Sequence, residues 1–267
     1  MRHDNGPADT PLLRIDGISV RFGGIVALDG VSFDVQSGQI CGLIGPNGAG
    51  KSTLFNCLSR LYDCHTGRID FDGHPLSVMP RYRMAGIGIG RTFQNLALFR
   101  TMTVRENALV GCHSRHHAGF LWNAFRLPGA ARVEKEAHAR ADALIDFLDL
   151  RGVADRAVAD LPFGTQKRVE LARALAAEPK LLLLDEPAAG LNHEELESLG
   201  LLIRDIRDRL RVTVLLVEHH MGLVMGVSDK VVALNFGKKI AEGAPAQVRS
   251  HPEVIRAYLG ADGEEQA

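Results

Sequence analysis

The residues best suited to chemistry form one glycine-rich run that ends in a lysine and two hydroxyl residues. It matches the pattern G-x-x-x-x-G-K-[ST], between a predicted strand and a predicted helix. Backbone N–H groups of such a loop wrap a phosphate, and the helix start adds partial positive charge. We therefore expect Lys51 to reach the β- and γ-phosphates of a nucleotide and Ser52 to bind Mg²⁺. The alternative is a glycine-rich turn with an accidental Lys-Ser pair. The predicted phosphate-binding residues are Gly45, Pro46, Asn47, Gly48, Ala49, Gly50, Lys51, Ser52 and Thr53.

Two adjacent carboxylates follow a short apolar run later in the chain. Leu181–Leu184 is predicted to be a buried strand, and Asp185 and Glu186 come directly after it. Asp185 is expected to hold the Mg²⁺ shell, and Glu186 is placed to polarise a water for in-line attack on a phosphate. Two solvated acids in a loop are the alternative, which the presence of the Lys51 motif disfavours.

Together these motifs resemble the ATP-binding subunits of ABC transporters, over roughly Leu12–Gly260. The resemblance implies that Arg91-Thr-Phe-Gln94 is a glutamine loop, in which Gln94 contacts Mg²⁺ and water and reports to a membrane subunit. It also implies that His219, after the strand Val212–Glu218, is the switch histidine. Singly, a glutamine or a histidine is weak evidence, and the order and spacing of the motifs favour the family.

The signature motif departs from the family pattern, which is usually Leu-Ser-Gly-Gly-Gln before a helix. Here the residues are Leu161, Pro162, Phe163, Gly164, Thr165 and Gln166. The resemblance implies that Leu161, Gly164, Thr165 and Gln166 face the γ-phosphate of a nucleotide bound to a second subunit. Pro162 has neither the hydroxyl nor the N–H of serine, so one phosphate contact is expected to be missing. A non-functional signature is the alternative.

Two further positions are identified through the same resemblance. Phe22 matches the aromatic residue that stacks on adenine, a contact worth about 1–3 kcal/mol, and a core phenylalanine is the alternative. The segment Ala189–Asn192 matches a loop that contacts the other subunit of the dimer, with Asn192 where aspartate is usual.

The hydrophobic pattern predicts the elements that position these residues. Apolar runs without alternation indicate a mostly parallel sheet covered on both faces. The predicted strands are Leu12–Val20, Val26–Val35, Gln39–Ile44, Arg68–Phe71, Lys180–Leu184, Val212–Val217 and Val231–Leu234. The predicted helices are Lys51–Leu61, one opened by a Thr103–Glu106 capping box, one carrying Val133 to Leu148, one after the signature, and one capped by Asn192.

These elements predict an α/β fold, a P-loop NTPase of ABC type. Its mostly parallel sheet core is expected to carry an antiparallel β subdomain and an α-helical subdomain. We predict a flexible arm at residues 1–10, a single ATP-binding domain at 11–260 with the helical subdomain inserted at about 95–178, and a loose acidic tail at 261–267.

Composition excludes several classes of protein. In 267 residues, 24% are charged and 46% hydrophobic, so a largely disordered chain is excluded. Because 31 Lys and Arg face 32 Asp and Glu, a strongly basic nucleic-acid binder is disfavoured. The polar first ten residues predict no signal peptide. The four cysteines form no C-x-x-C pair, so reduced thiols in a cytoplasmic protein are expected.

Details of the resemblance favour the branched-chain amino-acid importers. The stretches that resemble this subgroup are Gly90–Asn95, Ala188–Asn192, Val217–His219 and Arg256–Gly260. It implies ATP and Mg²⁺ as cofactors, two membrane permeases, a second ATP-binding subunit as dimer partner and an extracytoplasmic solute-binding protein acting indirectly. The expected location is the cytoplasmic face of the cell membrane. Urea or amide import, lipopolysaccharide export, a soluble ABC protein and a P-loop kinase are the alternatives.

An insert at Gly111–Arg132 contains no acidic residue, but it has three arginines, three histidines and several aromatic residues. It is interpreted either as a surface that touches the membrane subunit or lipid headgroups, or as a hydrophobic stub docked on the helical subdomain. A metal site is the least favoured interpretation, because no acidic or cysteine ligands accompany the histidines.

Overall fold

The computed structural model of the chain describes residues 10–92, 96–113 and 128–264. Three predicted features therefore lie wholly or mostly outside the described residues: the arm at 1–10, Gln94, and the insert at 111–132. The strands are β1 Leu13–Phe22, β2 Ile25–Val35, β3 Ile40–Ile44, β4 Thr66–Phe71, β5 His74–Pro75, β6 Ile89–Arg91, β7 Leu181–Asp185, β8 Thr213–Val217, β9 Lys230–Asn235 and β10 Lys238–Gly243. The helices are α1 Lys51–Leu58, α2 Met84–Ile87, α3 Val104–His113, α4 Pro128–Phe147, α5 Phe163–Ala176, α6 His193–Leu210, α7 Met221–Val227, α8 Pro245–Arg249 and α9 Pro252–Glu264. Short 3-10 turns span Leu76–Val78, Arg81–Arg83, Arg151–Val153 and Val158–Asp160.

The chain divides into two units. One contains the residues up to Arg81 together with those from Ile203 onward, and the other contains Tyr82–Leu202. The helices predicted for about 95–178 fall in the second unit, which also contains β6 and β7. The predicted domain boundaries stay a prediction.

The first unit contains an antiparallel sheet and a mixed one. Strands β2, β1, β4 and β5 form the antiparallel sheet in that order. In the mixed sheet, β3 pairs in parallel with both β8 and β9, and β10 adds an antiparallel edge. Every residue of β3 and β8 is buried, as their continuous apolar sequence requires. The second unit holds the parallel pair β6 and β7 together with helices.

A tight turn follows β4, and two predicted helix caps are confirmed. Asp72 and Gly73 have φ of 50° and 77° and connect β4 to β5 as a two-residue hairpin loop. Glu106 accepts the backbone N–H of Thr103 at 2.7 Å, which completes the capping box of α3. Asn192 Oδ1 accepts the backbone N–H of Glu195 at 2.9 Å and so caps α6.

One predicted helix boundary is wrong. Helix α1 ends at Leu58 and not at Leu61, because Arg60 takes a left-handed conformation with φ of 57° and stops the helix. Helix α9 extends as far as Glu264 and so includes the first residues of the predicted acidic tail. That helix begins at Pro252, a favourable first position, and buries Val254.

Candidate functional site

In the first unit, the glycine-rich run connects β3 to α1. Two of its glycines leave room for no side chain. A Cβ on Gly45, whose φ is 153°, would lie 2.3 Å from the Leu234 carbonyl oxygen, and one on Gly50, whose φ is 102°, would lie 2.6 Å from the Ala27 carbonyl oxygen. The loop is therefore packed tightly against β2 and β9, with its backbone at the start of a helix, as a phosphate cradle requires.

Lys51 opens α1 and is almost fully buried. Its Nζ donates to the carbonyl oxygens of Gly45 at 2.7 Å and Pro46 at 3.0 Å, so the ammonium is held inside the curve of the loop. The next residue, Ser52, is exposed in the first turn of the helix. A buried cation, the start of a helix and an adjacent hydroxyl fit a nucleotide phosphate with its Mg²⁺.

His219 lies at the same sheet edge as this loop. Strands β3 and β8 are parallel with Leu43 opposite Val217, and Gly45 and His219 each follow two residues later. The Glu218 carboxylate is fully buried and accepts the backbone N–H of His219 at 3.0 Å, while the histidine side chain is more than half exposed. The register therefore places His219 at the carboxyl end of β8, beside the start of the glycine-rich loop at the end of β3.

The side chain of Phe22 is 45% exposed at the tip of the β1–β2 hairpin, so the core interpretation is wrong. Its ring makes an edge contact with the ring of Tyr62, with the centroids 5.0 Å apart. Tyr62 is also exposed and lies in the loop after α1. Tyr62 carries no sequence signal for this contact, since only the fold brings residues 40 positions apart together. An exposed aromatic pair is a suitable platform for a base.

Replacing Phe22 by alanine is expected to weaken ATP binding by about 1–3 kcal/mol, because the stacking surface is removed. Calorimetric titration of the purified protein with ATP would measure the change. Ile25→Ala is the matched control, since Ile25 is exposed on the same hairpin but carries no ring. Equal affinities for wild type and Phe22→Ala would contradict the assignment of Phe22.

In the second unit, Asp185 ends β7 and is paired with a buried arginine. Arg91 Nη2 lies 2.7 Å from Asp185 Oδ2, and each side chain is about one-tenth exposed. Thr92 also holds the end of β7. Its N–H donates to the Leu183 carbonyl at 3.0 Å, and its hydroxyl lies 3.4 Å from the backbone nitrogen of Asp185. The segment that leads to Gln94 is thus tied to the carboxylate that the sequence assigns to Mg²⁺.

Removing Arg91 is expected to destabilise the fold strongly, because a nearly buried carboxylate loses its counter-charge. Arg91→Ala should lower the free energy of unfolding by about 3–5 kcal/mol. In urea unfolding, the double variant with Asp185→Asn should lose less than the sum of the single variants. Arg14→Ala breaks the exposed Arg14–Asp34 pair and should change stability far less. Strict additivity in the double variant would contradict a coupled pair.

Glu186 has a strained backbone. Its φ is 48°, a left-handed conformation that costs a non-glycine residue about 1–2 kcal/mol. Two contacts hold it: the Ala189 N–H donates to its carbonyl at 3.2 Å, and Lys167 Nζ lies 3.4 Å from the same oxygen. Strain at a residue with the chemistry of a general base is typical of functional sites.

The departures in the signature motif fit the local structure. Pro162 is the N-cap of α5, a position where its missing N–H costs no helical hydrogen bond, and its carbonyl accepts the Gln166 N–H at 3.0 Å. Phe163 packs against the Ala189–Asn192 loop, since a Cβ on Gly190 would lie 2.9 Å from Phe163 Cε1. Lys167 Nζ lies 5.3 Å from the centre of the same ring.

Contacts around Gly164 join the signature to α6. A Cβ on Gly164 would lie 2.5 Å from Glu195 Oε1, and Glu195 closes the capping box with Asn192. Thr165 and Asp185 line a cleft of about 440 Å³ in the same unit. Leu161 is buried, and its carbonyl accepts Gln166 Nε2 at 2.8 Å. The second unit therefore brings the acidic pair, the signature and the Ala189–Asn192 loop together.

The sequence analysis also missed Arg91 and Lys167 as partners of the acidic pair. Neither carries a local signal beyond its charge, because each meets its partner only through tertiary packing. Among the described residues, no group of three or more His, Cys, Asp or Glu side chains is arranged to hold a metal ion. Within the same residues, no helix has the length and apolar character needed to cross a bilayer.

Strand β3 leads into the phosphate loop, and the acidic pair lies at the end of β7. This arrangement is typical of P-loop nucleotide hydrolases. The chain belongs to the ATP-binding cassette proteins of ABC transporters, because residues 28–189 match the family described as ABC transporter. It is therefore an ATP-binding and ATP-hydrolysing protein. Residues 238–264, which contain β10, α8 and α9, match a second family, described as branched-chain amino acid ATP-binding cassette transporter.

Curated relatives agree with this family. The chain is 44% identical over 250 residues to the high-affinity branched-chain amino acid transport ATP-binding protein BraF of Pseudomonas aeruginosa, covering 94% of this chain and 98% of that one. It is 43% identical over 250 residues to LivG of Escherichia coli K12, which bears the same description, with the same coverage of both chains.

Solved structures agree as well. The ADP conformation of MJ1267, an ATP-binding cassette of an ABC transporter, superposes with a TM-score of 0.82 at 31% identity, over 94% of this chain and 99% of that one. A nucleotide-free ATP-binding cassette from an ABC transporter gives 0.80 at 29% identity, over 93% of this chain and 99% of that one. The predicted P-loop fold of ABC type is confirmed.

Proposed function

We propose that this chain is the ATPase subunit of an importer for branched-chain or related amino acids. The observation that carries the proposal is the match of residues 238–264 to the branched-chain family, beyond the ATP-binding core common to ABC transporters. The 44% identity to BraF along nearly the whole chain supports it. The two curated relatives reported above are both described as branched-chain amino acid transport proteins, whereas urea, amide and lipopolysaccharide systems stay alternatives from sequence.

Within the site we assign roles by chemistry. The loop from Gly45 to Thr53 wraps the phosphates, with the Lys51 ammonium against the terminal ones. Ser52 and Asp185 would hold Mg²⁺, to which the resemblance adds Gln94, and the ion would supply charge stabilisation at the transferring phosphate. Glu186 accepts the proton of the attacking water, and His219 contacts the γ-phosphate side of the nucleotide.

The partners follow from the same proposal. The signature residues Leu161, Gly164, Thr165 and Gln166 would meet the nucleotide of a second ATP-binding subunit, either a copy or a paralogue. Two permease subunits and, indirectly, an extracytoplasmic solute-binding protein complete the transporter, and no nucleic acid takes part. The chain would lie peripherally on the cytoplasmic face of the membrane.

Uptake measurements test this function. In cells that lack this chain, uptake of labelled leucine, isoleucine and valine should be lost and should return with wild-type protein but not with Glu186→Gln. Uptake of labelled urea by the same cells is the negative control and should be unaffected by loss of this chain. Normal leucine uptake with lost urea uptake would overturn the proposal in favour of the alternative.

A further inference from the structure

Two of the four cysteines touch each other at the end of α1. Cys57 lies in the last turn of the helix and Cys64 lies in the loop that follows, and their thiols are in side-chain hydrogen-bond contact. Both are free thiols. The other two, Cys41 and Cys112, are buried and lie within 4.0 Å of the backbone carbonyls of Gly42 and Ala137. The cysteine pair, Cys57 and Cys64, is therefore placed differently from the other thiols.

The turn that ends α1 creates this contact. Arg60 is left-handed with φ of 57°, the Arg60 N–H donates to the Cys57 carbonyl at 3.0 Å, and the Leu61 N–H donates to the Asn56 carbonyl at 2.8 Å. These two hydrogen bonds form a Schellman motif, which reverses the chain at a helix end. The reversal brings Cys64 back toward the helix turn that contains Cys57, so both residues line one cavity.

The two thiols differ in access to solvent. Cys57 is 1% exposed, whereas Cys64 is partly exposed. Both line a cavity of about 310 Å³ that Arg60 and Asp63 also line, and Arg60 forms an ion pair with Asp63. A small reagent can therefore reach Cys64 from the cavity, with Cys57 behind it.

Electrostatics reinforces this asymmetry. The hydrogen bond from the Cys57 thiol lowers the pKa of Cys64, and the Arg60 guanidinium acts in the same direction. The same contact, together with burial, raises the pKa of Cys57. The accessible sulfur is thus the better nucleophile, since the thiolate is the reactive form.

We propose that Cys57 and Cys64 form a reversible disulfide, in which Cys64 is the attacking thiol and Cys57 is the resolving thiol. In an otherwise reducing compartment, such a pair would be a redox-sensing site and not a structural crosslink. The pair lies at the opposite end of α1 from Lys51, and Tyr62, between the two cysteines, contacts Phe22.

The oxidant is a small disulfide such as oxidised glutathione. The Cys64 thiolate attacks one of its sulfurs, forming a mixed disulfide and releasing one glutathione thiolate. Cys57 then loses its proton to solvent and attacks the Cys64 sulfur, which releases the second glutathione thiolate and forms the Cys57–Cys64 bond. Overall, two protein thiols are oxidised by two electrons, and one oxidised glutathione becomes two reduced ones.

Mass mapping of the full-length protein tests the proposal. Purified reduced protein is incubated with oxidised glutathione at neutral pH, sampled over time, quenched with N-ethylmaleimide and digested. In wild type, we expect a transient glutathione adduct on Cys64 followed by a Cys57–Cys64 disulfide that dithiothreitol reverses. Cys57→Ala should instead accumulate the Cys64 adduct, and its Cys64 should react severalfold more slowly because the hydrogen bond is lost. Cys112→Ala is the matched control and should behave like wild type.

Two results would overturn the proposal. One is a wild-type protein in which the glutathione adduct on Cys64 is stable and is never replaced by the Cys57–Cys64 disulfide. The other is a wild-type protein in which both cysteines remain fully open to N-ethylmaleimide after oxidation. The wild-type time course alone yields either result, so the test holds even if Cys57→Ala does not fold, which circular dichroism would show.

Discussion

Glu186→Gln is expected to abolish ATP hydrolysis while leaving ATP binding intact. The amide keeps the size of the side chain but cannot accept the proton of the attacking water, and loss of a general base typically costs 10²- to 10⁴-fold in rate. Lys51, Ser52 and Asp185 are unchanged, so the affinity for ATP·Mg²⁺ should stay within a few-fold of wild type. Phosphate release and calorimetric titration would measure the two quantities.

The same variant should accumulate as an ATP-bound dimer, because in the proposed dimer the signature of each subunit would contact the nucleotide of the other and hydrolysis would no longer separate them. Size-exclusion chromatography with and without ATP would show the change. Wild-type turnover should also rise more than linearly with protein concentration. A Glu186→Gln protein that hydrolyses ATP at the wild-type rate, or that gains no dimer with ATP, would refute the role given to this carboxylate.

Glu186→Gly is the matched control for the strained backbone. Glycine adopts φ of 48° without the steric cost of about 1–2 kcal/mol that a side chain incurs, but it loses about 0.5–1 kcal/mol more conformational entropy on folding. This variant should therefore also be inactive and should be more stable than wild type by up to about 1 kcal/mol. Glu186→Gln keeps the strain and should unfold at nearly the wild-type urea concentration. The two variants therefore separate the chemical role of the carboxylate from the steric cost of the left-handed backbone at residue 186.

Lys51→Ala is expected to weaken ATP binding itself. Its ammonium is fixed inside the phosphate loop by the carbonyls of Gly45 and Pro46, and a hydrogen bond to a charged group contributes about 1.5–3 kcal/mol. Affinity should therefore fall by roughly 10- to 150-fold, as calorimetric titration would measure.

Lys230→Ala is the matched control for Lys51. Lys230 is also partly buried and donates to a backbone carbonyl, that of Asp34 at 2.8 Å, but it lies at the start of β9 and not in the loop. This variant should lose stability and keep its ATP affinity. If Lys51→Ala binds ATP as tightly as Lys230→Ala does, the phosphate-loop assignment is wrong.

Local sequence determined much of the fold. Alternating or continuous apolar runs predicted β1, β2, β3, β7, β8 and β9 to within about three residues, because burial on one or both faces is recorded directly in the pattern. Caps could also be predicted from sequence, since Asn192 Oδ1 accepts the Glu195 N–H and Thr103 Oγ1 accepts the Glu106 N–H in the first turns of their own helices. The three-residue strand β6 was not predicted, because so short a run has no periodicity of its own.

The phosphate loop and the acidic pair were each identifiable from sequence as a contiguous motif, because their chemistry needs particular residue types at fixed spacing within a few positions. His219 was assigned only through the resemblance to ABC transporters, since a single histidine carries no such motif. The register of β3 against β8 then explains why Gly45 and His219, 174 positions apart, lie at one sheet edge.

Only the tertiary structure decided which groups support these residues. Arg91 meets Asp185 across the β6–β7 pair, Lys167 reaches the Glu186 carbonyl from α5, and Tyr62 meets Phe22 across the end of α1. It also decided that Cys57 and Cys64, which form no recognisable sequence motif, are in contact. The physical reason is the same in each case: these contacts join residues from different elements, or across a chain reversal, and local pattern carries no information about which side chains packing brings together.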